Sequence, residues 1–201
     1  NRFCCSRKIH KESNFISFKV IFMKVLAIIP ARMGSSRFPG KPMAKILGRP
    51  MIEHVYENVS KCDLLSKTIV ATCDKEIADF IDSIGGKSVM TSDKHERASD
   101  RCAEALLSIE QNDGIKYDII VMVQGDEPMT HPDMISEAIT PMINNSEIIV
   151  TNLMGEIKSD DEFEDRNCIK VVCDIDNNAL CFSREPIPTR NFGNVDMKKQ
   201  V

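Results

Sequence analysis

Short apolar runs alternate with stretches of helical periodicity along most of this chain, and that alternation limits the folds open to it. Strand-like runs fall at 25–29, 67–72, 88–90, 118–123, 147–153, 168–173 and 179–182. Between them, 51–60 sets Ile52, Val55, Tyr56 and Val59 on one helical face, and 75–84 reads as a helix closed by Gly85-Gly86. Residues 97–110 turn Ala98, Cys102, Ala105, Leu106 and Ile109 inward, and 134–143 form a helix behind Pro132. The run at 118–123 is apolar after its first residue, which suits the centre of a sheet. Asp174-Ile-Asp-Asn-Asn178 supplies a turn that makes the last two runs a hairpin. The expectation is an α/β fold: three layers around a mostly parallel central sheet, made mixed by the hairpin. At 201 residues the chain is long enough for one such domain with a substantial core.

The first apolar run leads into Pro30-Ala-Arg-Met-Gly-Ser-Ser-Arg-Phe-Pro-Gly-Lys-Pro42. A loop of this make-up at the carboxyl end of a first strand suits a bound triphosphate. Backbone N–H groups and the hydroxyls of Ser35 and Ser36 can donate to phosphate oxygens, while Arg32, Arg37 and Lys41 offset their charge. It is not a Gly-x-x-x-x-Gly-Lys-Ser/Thr P-loop, because Pro42 follows Lys41. An ordinary exposed basic loop would have the same charge, but here small residues and cations are interleaved directly behind a buried strand.

A second motif, Val123-Gln-Gly-Asp-Glu-Pro128, follows the fourth apolar run. Ligands in open α/β sheets bind beyond the carboxyl ends of strands. A carboxylate there can hold Mg²⁺, which keeps some waters and shares substrate phosphates. Asp126 is the candidate ligand; Glu127 is the weaker one, since neighbouring residues in extended chain point opposite ways. The same residues also make a good turn.

Composition narrows the function classes. Net charge is −4, from 26 basic and 30 acidic residues, which argues against a protein built to grip a nucleic-acid backbone. Any basic patch must be made by the fold. The eight cysteines form no Cys-x-x-Cys pair and no zinc spacing, and most lie in apolar runs. They read as buried free thiols in a reducing, cytoplasmic compartment. No segment is long and apolar enough to span a membrane. Residues 1–22 look foreign to the domain and are expected to be a poorly ordered, non-native upstream extension, with Met23 as the natural start. The acidic stretch 160–165 reads as a solvated helix face.

Taken together, Ala-Arg-x-x-Ser-Ser-Arg-Phe-Pro-Gly-Lys-Pro and Val-Gln-Gly-Asp-Glu-Pro resemble the cytidylyltransferases that activate 3-deoxy sugar acids, and most closely the 3-deoxy-manno-octulosonate (KDO) cytidylyltransferase family. Asn167-Cys-Ile-Lys-Val-Val172 and Phe182-Ser-Arg-Glu-Pro-Ile-Pro188 carry the resemblance onward. It implies a Rossmann-like nucleotide-diphospho-sugar transferase fold and the reaction of CTP with KDO to give CMP-KDO and pyrophosphate, with Mg²⁺, in lipopolysaccharide biosynthesis. It implies catalytic roles for Arg32, Lys41 and Asp126, with Asp126 on the metal. It implies nucleotide contacts from Pro30, Ala31, Arg32, Ser35, Ser36, Arg37, Lys41, Ala71, Thr72, Asp74, Arg101 and Gln124. Ala71 and Thr72 match a segment that lines the family's cytosine pocket, and Asp74 also suits the N-cap of the helix at Lys75. His95, Gln124, Lys170 and Arg184 are implied for the sugar acid; Arg184 offers a planar fork for a carboxylate. Lys170 also reads as a solvated strand edge.

One segment departs from the pattern. His95-Glu-Arg-Ala-Ser-Asp-Arg101 aligns with His-x-Ser-Gly-Thr-Asp/Glu-Arg, but Arg97, Ala98 and Ser99 replace Ser-Gly-Thr. That change bears on which sugar acid is used: an amino-octulosonate or nonulosonic acid stays open beside KDO, as does an inactive nucleotide-binding homologue. The resemblance runs from about Lys24 to Pro188. Since family members continue further and are commonly homodimers, 23–201 reads as one C-terminally truncated domain, dimeric when full length, with neither nucleic acid nor membrane as a partner.

Overall fold

The computed structural model describes residues 23–34 and 38–187. The expected extension at 1–22 lies outside them. Where the sequence suggests one domain over 23–201, the chain groups into two compact units, Lys11–Asn152 and a unit containing Leu153–Val201.

The first unit is an α/β layer structure. Strand β1 (Val25–Ala31) pairs in parallel with β4 (Lys67–Thr72) on one side and β6 (Ile119–Met122) on the other, and β5 (Ser88–Met90) extends the sheet beyond β4. The order is β5-β4-β1-β6. A small antiparallel pair, β2 (Lys45–Ile46) and β3 (Arg49–Pro50), precedes the first helix. Helices α1 (Met51–Ser60), α2 (Lys75–Ser83), α3 (Ala98–Asp113) and α4 (Pro132–Asn144) follow the strands in alternation.

All seven residues of β1 are buried, because the sheet is covered on both faces. Successive side chains point to opposite faces. Val25, Ala27 and Ile29 join Ile52, Val55 and Val59 of α1, Ile77 and Ile81 of α2, and Ile135, Ile139 and Ile143 of α4. Leu26 and Ile28 join Cys102, Ala105 and Ile109 of α3 on the other face. Each fully buried Ile, Leu or Val contributes roughly 1.5–3 kcal/mol, against about 0–1 kcal/mol for an exposed ion pair, so these two cores set the stability. The glycine pair after α2 closes it as expected: Gly85 N–H donates to Asp82 O at 3.0 Å and Gly86 N–H to Ile81 O at 2.9 Å.

Three expectations are corrected. β6 is not central: among the described residues it pairs only with β1, and Met122 is 44% exposed. Residues 147–153 form no strand; Thr151 is pinned to α4 by its hydroxyl, which donates to Ala138 O at 2.7 Å, and Ile149 and Val150 lie in solvent. The hairpin does not make the central sheet mixed, because β7 (Lys170–Cys173) and β8 (Ala179–Ser183) form a separate two-stranded sheet.

That hairpin belongs to the second unit, with the short helix α5 (Asp160–Glu164) capped by the Ser159 hydroxyl. The turn at 174–178 is as expected: Asp174 accepts the N–H groups of Asp176 and Asn178, and Asn177 sits at φ 64°. Of the described cysteines only Cys62 and Cys102 are buried, and Cys181 is exposed, so the buried-thiol expectation holds for part of the set. Burial pushes the Cys102 thiol up to about 11, leaving it protonated and inert at neutral pH.

Candidate functional site

The site grows out of the carboxyl end of β1. Pro30 and Ala31 end the strand, and the loop behind them is closed by Gly40 N–H donating to Met33 O at 2.9 Å. Gly40 holds φ 73°, a left-handed conformation that a side chain would strain. Lys41 opens the 3₁₀ turn that follows (Lys41–Met43). Asp74 is not the side-chain cap of α2 expected from sequence. Its Oδ2 accepts the Met33 N–H at 2.8 Å, so it anchors the loop root instead. Thr72 supports this arrangement, its hydroxyl accepting the Asp74 N–H at 3.0 Å.

The chain leaving β6 comes back to the same place. Val123 N–H donates to Ile28 O at 3.1 Å, continuing the ladder, and Glu127 N–H turns onto Gln124 O at 3.2 Å. Gly125 is required here by space. A Cβ at this position would lie 2.7 Å from Pro30 O, closer than real Cβ contacts come. Gly125→Ala is expected to destabilise the unit by about 1–3 kcal/mol as the turn moves off β1, read as a lower urea midpoint; an unchanged midpoint would show that the turn has slack.

This turn delivers Asp126 to Lys41, with Nζ to Oδ2 at 2.6 Å. Both side chains stay part-exposed, at 34% and 46%. They line a cleft of about 270 Å³ beside Arg32, whose Nη1 donates to His95 O at 3.3 Å. The His95 ring bonds Glu104, whose two carboxylate oxygens also share the single Ser92 N–H and which is held below the usual carboxylate range by the His95 bond first and Ser92 second. The cleft lining carries Arg32, Lys41, Arg97 and Arg101 against Glu96 and Asp126, a cationic surplus in a protein of net charge −4. It is suited to a polyanion.

The structure therefore brings Pro30, Ala31, Arg32, Lys41, His95, Arg101, Gln124 and Asp126 into one cleft. Glu127 is not part of that lining. Ala71 and Thr72 are fully buried in β4 and do not line it, so their side chains are packing and support. Ser35, Ser36 and Arg37 lie outside the described residues. Lys170 and Arg184 belong to the second unit. Lys170 is no solvated edge: it is 2% exposed, and its ammonium donates to the carbonyls of Asp165 and Arg184. Arg184 in turn donates through Nη1 to Arg166 O at 3.0 Å.

Sequence reasoning missed Arg97 as a cleft residue, although its place in the departing segment marked it. It also missed Glu104, for which sequence offers no signal, since its partner is met across a loop.

A family model described as Cytidylyltransferase matches residues 26–200. The 3-deoxy-manno-octulosonate cytidylyltransferase of Trichlorobacter lovleyi is 48% identical over 166 residues, covering 83% of this chain and 64% of that protein. The protein of the same name from Parabacteroides distasonis is 44% identical over 170 residues, covering 83% and 65%. Among solved structures, CMP:2-keto-3-deoxy-manno-octonic acid synthetase complexed with CTP superimposes with a TM-score of 0.71 at 34% identity, covering 84% of this chain and 67% of that one. This chain thus spans a little under two thirds of the length of such curated relatives. With the model matching almost all of the sequence from β1 onward, the chain belongs to the cytidylyltransferase family.

Proposed function

We propose that this chain carries the nucleotide-binding centre of an enzyme that joins CTP to KDO, releasing pyrophosphate and CMP-KDO for lipopolysaccharide synthesis in the cytoplasm. The observation that carries the reading is the Lys41–Asp126 pair in a cationic cleft at the carboxyl end of β1. Relatives named for this activity support it.

In this reading Arg32 and Lys41 leave their protein partners for the triphosphate, and Ser35, Ser36 and Arg37 complete the cradle. These groups hold the nucleotide and offset its charge, and no covalent nucleophile is needed. The anomeric hydroxyl of the sugar acid attacks the α-phosphorus, and pyrophosphate leaves. On the first unit Gln124 seats the sugar acid and His95 holds the chain beside it. Pro30, Ala31 and Arg101 face the nucleoside, while Ala71, Thr72 and Asp74 keep the loop root in place.

Asp126 fits Mg²⁺. It is a part-exposed carboxylate at the phosphate end of the cleft. Among the described residues no group of three His, Cys, Asp or Glu side chains gathers to hold a metal unaided, so phosphate oxygens and water would complete the shell, as Mg²⁺ prefers. When bound, the ion supplies charge that polarises the attacked phosphate and offsets the leaving pyrophosphate. The full-length enzyme is a homodimer in this reading, and its partners are CTP and the sugar acid.

The test is pyrophosphate release from CTP, Mg²⁺ and KDO, with a relative of full length as the positive control. Release that depends on all three supports the reading. Binding of CTP without release under any sugar acid would replace it with a nucleotide-binding protein. The Arg97-Ala98-Ser99 run favours a second reading of the same chemistry, in which an amino-octulosonate or a nonulosonic acid is the acceptor; competition among these acids separates the two.

A further inference from the structure

The turn that carries Asp126 is held differently at its two ends. At the near end Gly125 fits so closely against Pro30 O of β1 that a Cβ would lie 2.7 Å from it. At the far end packing is thin. Asp126 is part-exposed, Met129 is 85% exposed, and the N–H groups of Glu127 and Thr130 only close short loops onto Gln124 O and Glu127 O. Here α1 reaches the turn. The side-chain amide of Asn58 donates through Nδ2 to Pro128 O at 3.0 Å, across 70 residues of sequence.

The direction of that bond is fixed by its partners. Pro128 O can only accept, and the Lys61 ammonium, 3.4 Å from Asn58 Oδ1, can only donate. The amide therefore turns its NH₂ to Pro128 and its oxygen to Lys61. Its base is rigid, because Val55 and Val59 of the same helix are wholly buried against the β1 core. The bond is part-buried, which strengthens it relative to one in open water. Asn58 does not line the cleft, so its influence there passes through the turn. Mg²⁺ demands near-ideal octahedral geometry, so a ligand that drifts binds it less well. Resting on the reading of Asp126 as the metal ligand, we propose that Asn58 is a positioning residue for metal binding: by holding Pro128 it fixes where the Asp126 carboxylate stands.

Calorimetric titration of the chain with CTP, with and without Mg²⁺, tests this; the quantity read is the gain in CTP affinity that the metal brings. Asn58→Leu keeps the volume and removes the donor. It is expected to cut that gain by about 3- to 10-fold, the range for one lost hydrogen bond, with metal-free CTP binding nearly unchanged. Asn58→Ala, a better helix former, guards against a variant that fails to fold and is expected to do the same. Asn58→Gln keeps an amide on the same helix and should retain most of the gain. A gain that Asn58→Leu and Asn58→Ala leave intact, or a loss that metal-free binding shares equally, would reduce Asn58 to a structural residue and overturn the inference, while the cytidylyltransferase reading survives. Asn58→Gln losing as much as Asn58→Leu overturns it as well, because the amide is then not what holds the turn. A wild-type gain that persists in Asp126→Asn removes Asp126 from the metal and this inference with it, and a wild-type chain that binds no CTP takes both readings down.

Discussion

Asp126→Asn is expected to cut pyrophosphate release by about 10²- to 10³-fold, the usual loss when one group stabilising developing charge is removed. The substitution keeps size and shape and removes the charge that Mg²⁺ needs. Stability should barely move, because the Lys41–Asp126 pair is part-exposed and such pairs contribute about 0–1 kcal/mol. The two quantities separate the explanations: a lost rate with an unchanged melting temperature assigns Asp126 to chemistry. CTP binding without divalent metal should be kept or strengthened, since Lys41 is released from its carboxylate. A wild-type rate in the Asn variant would refute the role.

Lys41→Met should lower turnover by a similar factor, about 10²-fold or more, but with the opposite binding signature. Its Nζ is the cation that the loop closure at Gly40 brings to the Asp126 end of the cleft. CTP binding should therefore weaken even without metal, where Asp126→Asn shows no loss. Lys41→Arg should recover only part of the rate, because a planar fork does not replace a compact ammonium in a tight turn. Equal behaviour of the Met variant and wild type in CTP binding would move the triphosphate elsewhere. Rates and nucleotide titrations for the three variants, with and without Mg²⁺, check both predictions together.

Local signals in the sequence carried far. The bounds of α1, β4 and β5 follow from periodicity and flanking breakers, and the loop after β1 and the Gln-Gly-Asp-Glu-Pro turn meet in space as two strand ends in one parallel sheet must. What failed was non-local. Nothing within 118–123 says how many neighbours that strand has, so an apolar run that reads as central stands at the edge among the described residues. The run at 147–153 has strand composition, but composition does not supply a partner. Asp74 sits where a cap belongs, yet its carboxylate goes to Met33, 41 residues earlier. Lys170 looks like a surface cation until the carbonyls of Asp165 and Arg184 enclose its ammonium.

The position of β6 also bears on how the molecule behaves at high concentration. Among the described residues its outer backbone is unpaired and offers N–H and C=O groups to an extended strand, with no proline within Ile119–Met122 and no charge on it to deter one. Exposed Met122, Ile149 and Val150 add apolar surface to the same unit. Copies of this 201-residue chain are thus prone to add strands to one another there, and light scattering that grows with protein concentration, and is relieved by Met122→Lys at the strand's exposed position, would trace the association to that strand.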